Sequence, residues 1–248
     1  QPLPPECAAM VCALPRPRLP LAPVGPALLA VALLLVPVPG HACGGAPVVR
    51  DATAGTIQAF VRGQGKAVLT FVGYSGAGYE DPERLTRQAL RFLERQDPAR
   101  TLINIGATGE GIGAVYALAK QRGFTTIGIV SSLARDRGVP FSPCVDRVFV
   151  VKDTTWGGRL PGQRALSPTS RAMVDISAAV VGIGGGEVAR DELLAAREAG
   201  KPVRFVPADM NHALARENAR RQGLAPPSDF RGSAHQALAA DAQRSSGP

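Results

Sequence analysis

The chain is short of the features that nucleic-acid-binding, membrane-spanning and disulfide-framework proteins need. Aromatic residues are 5% of its 248 positions, with a single tryptophan, and they are not interleaved with basic residues as a stacking platform for single strands requires. The formal charge of +8 comes from 28 Lys and Arg against 20 Asp and Glu. These basic residues are mostly Arg, spread along the whole chain without a Lys/Arg block, so the excess reads as solubility charge and no nucleic-acid partner is expected. Four cysteines, Cys7, Cys12, Cys43 and Cys144, form no CxxC pair and have no His at ligand spacing. That argues against a structural zinc site and against a dense disulfide framework. No metal and no resident cofactor is expected, and no apolar run is long enough to span a bilayer comfortably.

What remains is a chain able to fold, 45% hydrophobic and 19% charged, with enough apolar surface for a buried core. Residues 1–47 are rich in proline and contain ALLAVALLLV, Ala27 to Val36, preceded by Arg16 and Arg18 and followed by small residues at Gly40 and Ala42. This is the layout of a secretory signal peptide with cleavage near Ala42. The expectation is export, with Cys43 and Cys144 left in a compartment where they could pair; lipid anchoring through Cys43 is a second reading. An N-terminal extension of a cytoplasmic protein is the third. Residues 224–248 carry paired prolines, small polar residues and few large apolar side chains, and are expected to be a mobile tail. That leaves 48–223 as one domain.

Within it, β-branched runs alternate with segments of helical period. Ala67 to Gly73, Thr101 to Ile105, Thr125 to Ser131, Arg147 to Val151, Ala178 to Gly184 and KPVRFVP read as strands. Between them, Asp81-Pro82-Glu83 offers a helix cap with Leu85, Ala89, Phe92 and Leu93 on one face, and Ile112, Val115 and Ala119 line another helix that Gly123 stops. Further helices are expected around Thr169 to Ile176, after Gly186, and from His212. The alternation predicts an α/β fold, a Rossmann-like doubly wound parallel sheet whose ligand sits beyond the carboxyl ends of the strands.

Two of those strand ends are glycine-rich. Gly106, Gly109, Gly111 and Gly113 follow one strand, and Gly184, Gly185 and Gly186 follow another. Such turns let backbone N–H groups and a helix N-terminus approach an anion, so a phosphate-bearing ligand is the natural use, although tight turns and close packing also call for glycine. Neither is the dinucleotide fingerprint, since the first gives GxGxG and the following strand ends in Ser131-Ser132 instead of an acid. Arg135 would at best favour NADP. On the helix after Gly186, Glu192 falls inside an apolar arc of Val188, Ala195, Ala196 and Ala199, so it needs a partner: an Arg, a backbone donor or a ligand hydroxyl. Glu187 reads as a solvated first-turn acid.

These residues resemble a family. Ile183 to Val203, IGGGEVARDELLAAREAGKPV, is similar to the second signature of the Lonely Guy-like branch of the SLOG superfamily, a GGxGTxxE loop and helix followed by GKPV. INIGATGEGIGAVYALAKQRGFTTIGIVSS resembles that family's first glycine loop, helix and strand, and FVGYSGAGYEDP its opening strand and Ser/Gly turn at Ser75 and Gly76. The similarity runs from about Val68 to Val206. It implies a fold that binds nucleotides or phosphoribose and, in active members, hydrolysis of a nucleoside 5′-monophosphate to base and ribose 5-phosphate. By position, Gly185 and Gly186 would be the paired glycines, with Gly184 beside them, and Glu192 the acid that handles ribose. Gly106, Thr108, Gly109 and Gly111 would form the first loop. Two departures stand out: Val188-Ala189 replaces the motif's Gly-Thr, and Arg171, the candidate catalytic Arg, lies about two residues too near the glycines, a turn of roughly 200° on a helix.

Three functions follow. The first is a non-catalytic carrier or sensor of a small phosphorylated, nucleotide-like ligand. The second is a phosphoribohydrolase using Glu192 and Arg171, and the third an NADP-dependent oxidoreductase. A homodimer is left open. Trp156 reads equally as a cover for a ligand and as a loop aromatic docked on its own domain.

Overall fold

In the computed structural model, residues 43–244 are described, with side chains to Leu238. The β-branched runs pair into a seven-stranded sheet in the order β1-β5-β4-β3-β2-β6-β7. The strands are β1 (Val48–Ala52), β2 (Ala67–Gly73), β3 (Thr101–Ile105), β4 (Thr125–Ser131), β5 (Arg147–Val151), β6 (Ala179–Ile183) and β7 (Val203–Val206). Every pairing is parallel. From β2 the chain steps through β3, β4 and β5 toward one edge, then crosses back to lay β6 on the other side of β2. That reversal opens a crevice above the ends of the central strands, where ligands of such sheets sit. The register Gly73↔Ile183, Ile105↔Gly128 and Ser131↔Val151 brings the glycine-rich and serine-rich strand ends to one rim.

Side-chain alternation divides the core into two layers. Leu69, Phe71, Ile103, Ile105, Val181 and Ile183 face α2 (Pro82–Leu93) and α3 (Ala114–Gln121). Leu85 and Ala89 are buried in that layer, while Phe92 and Leu118 pack on its margin. Val68, Val72, Leu102, Ile127, Ile129 and Val180 face α1 (Ala54–Gln64), α5 (Pro168–Ile176) and α6 (Glu187–Glu198). Local chemistry starts these helices where the sequence indicates. Asp81 accepts the Arg84 N–H at 2.8 Å ahead of Pro82, and Ser167 caps α5 ahead of Pro168. Asn211 caps α7 (His212–Arg221). Gly123, at φ 78°, ends the helical run that α3 begins.

Besides the short helix α4 (Ser132–Asp136), three elements were not legible as elements. β1 is an edge strand with Val48 and Val49 exposed, so it shows no alternation. Helix α1 contains Gly55 and Gly63, which weaken helix propensity. The third, in the segment expected to be a mobile tail, is helix α8 (Gly232–Arg244), which packs on α6 with Ala234 and Leu238 buried.

Cys43 and Cys144 form a disulfide with Cα atoms 4.5 Å apart. This overturns lipid anchoring through Cys43, because the sulfur that would carry the lipid is bonded to another cysteine. A cross-link spanning 101 residues stabilises on the order of 4 kcal/mol in the chain-entropy treatment. The signal-peptide features up to Ala42 lie outside the described residues. No helix among the described residues is long and apolar enough to cross a membrane.

Candidate functional site

A cavity of about 690 Å³ opens above the carboxyl ends of β2, β3 and β4, a volume suited to a nucleotide-sized ligand. Ser75 and Gly76 border it after β2, and Gly106, Thr108 and Gly109 after β3. Glu192 reaches it from α6. The structure therefore brings together six of the residues singled out from sequence. Gly111, Gly184, Gly185, Gly186 and Arg171 are not among the lining residues. Arg171 is exposed, between the buried Ser170 and Ala172 of α5.

The absent glycines have other work. A Cβ on Gly184, at φ 56°, would stand 2.5 Å from the Tyr74 ring and 2.9 Å from the Ala208 carbonyl oxygen. At Gly185 a Cβ would stand 2.5 Å from the Ala189 methyl, and the Gly185 carbonyl accepts the Ala234 N–H of α8 at 3.1 Å. Gly111, at φ 56°, lies against the carbonyls of Tyr74 and Ser75. In the first loop Ala107 adopts φ 56° while fully buried, a conformation costly for a residue with a side chain. It is held by its N–H to the Tyr116 hydroxyl at 3.2 Å and its carbonyl to the Ser142 N–H at 2.9 Å.

The far wall comes from two loops. Val139, Pro140, Phe141 and Pro143 supply one apolar side, and Trp156, 52% exposed, stands at the other. The Trp156 loop sits close on α6: a Cβ on Gly157 would be 2.9 Å from Val188 Cγ1 and 3.9 Å from Glu192 Oε1. The Gly158 N–H donates to Ser170 Oγ at 2.7 Å, and the Ser170 hydroxyl donates to Glu192 Oε1 at 2.6 Å. Glu192 is only 4% exposed. Burial pushes its carboxyl up to about 7; the Ser170 hydroxyl resists that shift and neighbouring Asp191 adds to it.

Two other buried carboxylates are better supplied. Asp191, which sequence reasoning missed, accepts the Arg159 N–H and Arg190 Nε, both at 2.9 Å. Asp153 accepts N–H groups of Thr169 and Thr155 and the Thr155 hydroxyl, each at 2.9 Å. Burial alone would raise the Asp153 carboxyl, but those N–H donors, with the Thr169 and Ser167 hydroxyls nearby, hold it below its usual value. The Thr169 hydroxyl itself, buried at the cavity wall, makes no hydrogen bond of good geometry.

The helix arc around Glu192 is rotated from the one expected: Ala189, Leu193 and Ala196 are buried, Val188 lines the cavity and Ala199 is exposed. Ser170, not an arginine, is the protein partner of Glu192. Glu187 is exposed and lies 3.8 Å from Arg190. Arg135 pairs with Asp51 at 2.6 Å and does not line this cavity, which removes the feature that favoured NADP. Among the described residues no group of three or more His, Cys, Asp and Glu is placed to hold a metal ion.

No protein-family model matches the sequence, and no curated protein matches it either. Among solved structures, the protein TM1055 is 25% identical over 55% of this chain and 72% of its own, with a TM-score of 0.41. A Moco carrier protein from Chlamydomonas reinhardtii is 17% identical over 72% of this chain and 96% of its own, with a TM-score of 0.42. A second structure of that carrier is 18% identical over 72% of this chain and 97% of its own, with a TM-score of 0.41. The chain's own topology identifies its fold, a Rossmann-like α/β domain on a seven-stranded parallel sheet.

Proposed function

We propose that this domain is a binding protein, a carrier or sensor that holds a nucleotide-like small molecule in the cavity above β2, β3 and β4 without turning it over. The observation that carries this reading is the lining itself. It combines a nucleotide-sized space, the backbone turns at Ser75-Gly76 and Gly106 to Gly109, and a wall that includes Phe141 and Trp156, yet among the described residues no Lys, Arg or His borders it. Glycosidic hydrolysis of a nucleoside monophosphate needs groups that stabilise charge developing on ribose and on the departing base. Glu192 is available for that, but Arg171 is exposed and stands outside the cavity. The resemblance to the Lonely Guy-like branch supplies the ligand class, and the replacement of its Gly-Thr by Val188-Ala189 fits binding without catalysis. The disulfide between Cys43 and Cys144 suits an oxidising compartment and so supports export.

One observation favours the second reading, a phosphoribohydrolase: a buried carboxyl near neutrality is suited to general acid–base work. A single assay separates the two. The full chain is incubated with a panel of nucleoside 5′-monophosphates while melting temperature and release of free base are followed together. Stabilisation without base release is the expected result. Base release that disappears in Glu192→Ala would establish the hydrolase instead.

A further inference from the structure

Resting on that reading of the cavity as a nucleotide-like site, we infer that affinity resides in a planar, uncharged heterocycle whose hydrogen-bonding edge is read by Glu192 and Thr169 beneath Trp156. The phosphate end, where a ligand has one, contributes little.

The cavity is polarised between its two ends. At one end, Ser75, Gly76, Thr108 and Gly109 face it near Glu110, and a Cβ on Gly76 would stand 3.6 Å from Glu110 Oε2. An exposed carboxylate beside an otherwise suitable backbone cradle works against dense negative charge. Among the described residues the two acidic or basic side chains bordering the cavity are Glu110 and Glu192, so no Lys or Arg there offsets a phosphate. At the other end, Trp156, Met173, Val188 and Ile129 supply flat and apolar surface. Two polar groups interrupt it. Glu192 has Oε1 engaged by the Ser170 hydroxyl, which leaves Oε2 for another partner. The Thr169 hydroxyl, in a residue 3% exposed, lies near the Asp153 carboxylate but makes no hydrogen bond of good geometry. A buried polar atom without a well-formed hydrogen bond is costly, and a ligand that supplies one recovers part of that cost. A heterocycle edge offering a donor beside an acceptor completes both groups at once, and its faces suit the indole and aliphatic walls.

Trp156 is the chain's single tryptophan, so its emission reports occupancy directly. The full chain is titrated with adenosine, guanosine, cytidine and uridine, with their 5′-monophosphates, and with ribose 5-phosphate. At least one nucleoside is expected to bind within about threefold of its monophosphate, a difference of roughly 0.65 kcal/mol. Ribose 5-phosphate is expected not to compete. Thr169→Val, which keeps the side-chain shape, should weaken nucleoside binding by about fivefold, and Glu192→Ala by about tenfold or more. Glu192→Gln, which retains a donor and an acceptor without charge, should bind more tightly than Glu192→Ala and guards against a folding defect. Binding by the wild-type chain that is equal in Thr169→Val and Glu192→Ala, or tight binding of ribose 5-phosphate, would overturn this inference and leave the carrier reading standing. Failure of every nucleoside and nucleotide to bind would overturn both.

Discussion

The two glycine-rich strand ends look interchangeable in sequence, yet the fold uses them in opposite ways. After β3, Gly106 and Gly109 border open space; a Cβ on Gly106 would meet nothing within 4 Å. After β6, Gly184 and Gly185 are buried, crowded by Tyr74 and Ala189, and their far side is closed by the start of α8. Glycine at a strand end thus marks close approach of the backbone, and the approaching group in the second loop is the protein itself. Gly111 shows the same within the first loop, since it admits the carbonyls of Tyr74 and Ser75. Glycines whose approach is already taken by the chain itself, as at Gly111, Gly184 and Gly185, are not free for a ligand.

The sharpest way to break this contrast is to add one methyl group at each loop. Gly184→Ala forces a left-handed residue against the Tyr74 ring and is expected to destabilise by about 4 kcal/mol, the sum of strain and overpacking. Gly106→Ala should stay within about 0.5 kcal/mol of wild type. Urea unfolding checks both, and equal losses would dissolve the distinction.

Next in size is a pH effect at the open cavity. Glu192 has a folded-state pKa of about 7 against an ordinary value of 4.5. Its protonated form therefore favours folding fully below 4.5, and that contribution is lost as pH rises to about 7. The change is on the order of 3 kcal/mol, and Glu192→Gln should remove it from unfolding curves recorded between pH 5 and pH 8. Asp153 acts in the opposite sense and in a lower range: its depressed pKa stabilises above 3.8 and is lost as pH falls further. A Gln variant with the same slope as wild type would mean that Glu192 is not the group responsible.

Deleting residues 224–248 removes the Ala234 and Leu238 contacts and the N–H donated to Gly185. About 2 kcal/mol of stability should go with them, while binding in the open cavity is retained. Loss of binding with the tail would join the two loops into one site. The smallest stability effect belongs to Trp156→Ala: at 52% exposure, the change should be within about 0.5 kcal/mol. Nucleoside affinity measured by calorimetry should nevertheless fall.

The central sheet was legible because its strands are buried on both faces and so read as β-branched runs, with Asp81-Pro82 and Gly123 marking helix limits. Exposed β1, glycine-bearing α1 and alanine-rich α8 gave no such contrast between faces. In the site, Glu192 stood out as a charge in an apolar arc, and the glycines marked the loops. Ser170, Thr169 and Asp153 did not stand out. Ser167 and Ser170 signal no more than a helix start locally, and the placement of Ser170 against Glu192 comes from α5 packing on α6 across 22 residues of sequence. Nor does sequence reveal which of two glycine loops the distant C-terminal segment will close.

The most direct measurement places valine at an unobstructed glycine in each loop and follows Trp156 emission during titration with the nucleoside that stabilises the chain most. A Cβ at Gly106 or at Gly186 meets nothing within 4 Å, so both variants should fold. Saturable binding lost in Gly106→Val and kept in Gly186→Val is the expected result. Binding lost in Gly186→Val and kept in Gly106→Val would move the site to the second loop and contradict the assignment of the cavity.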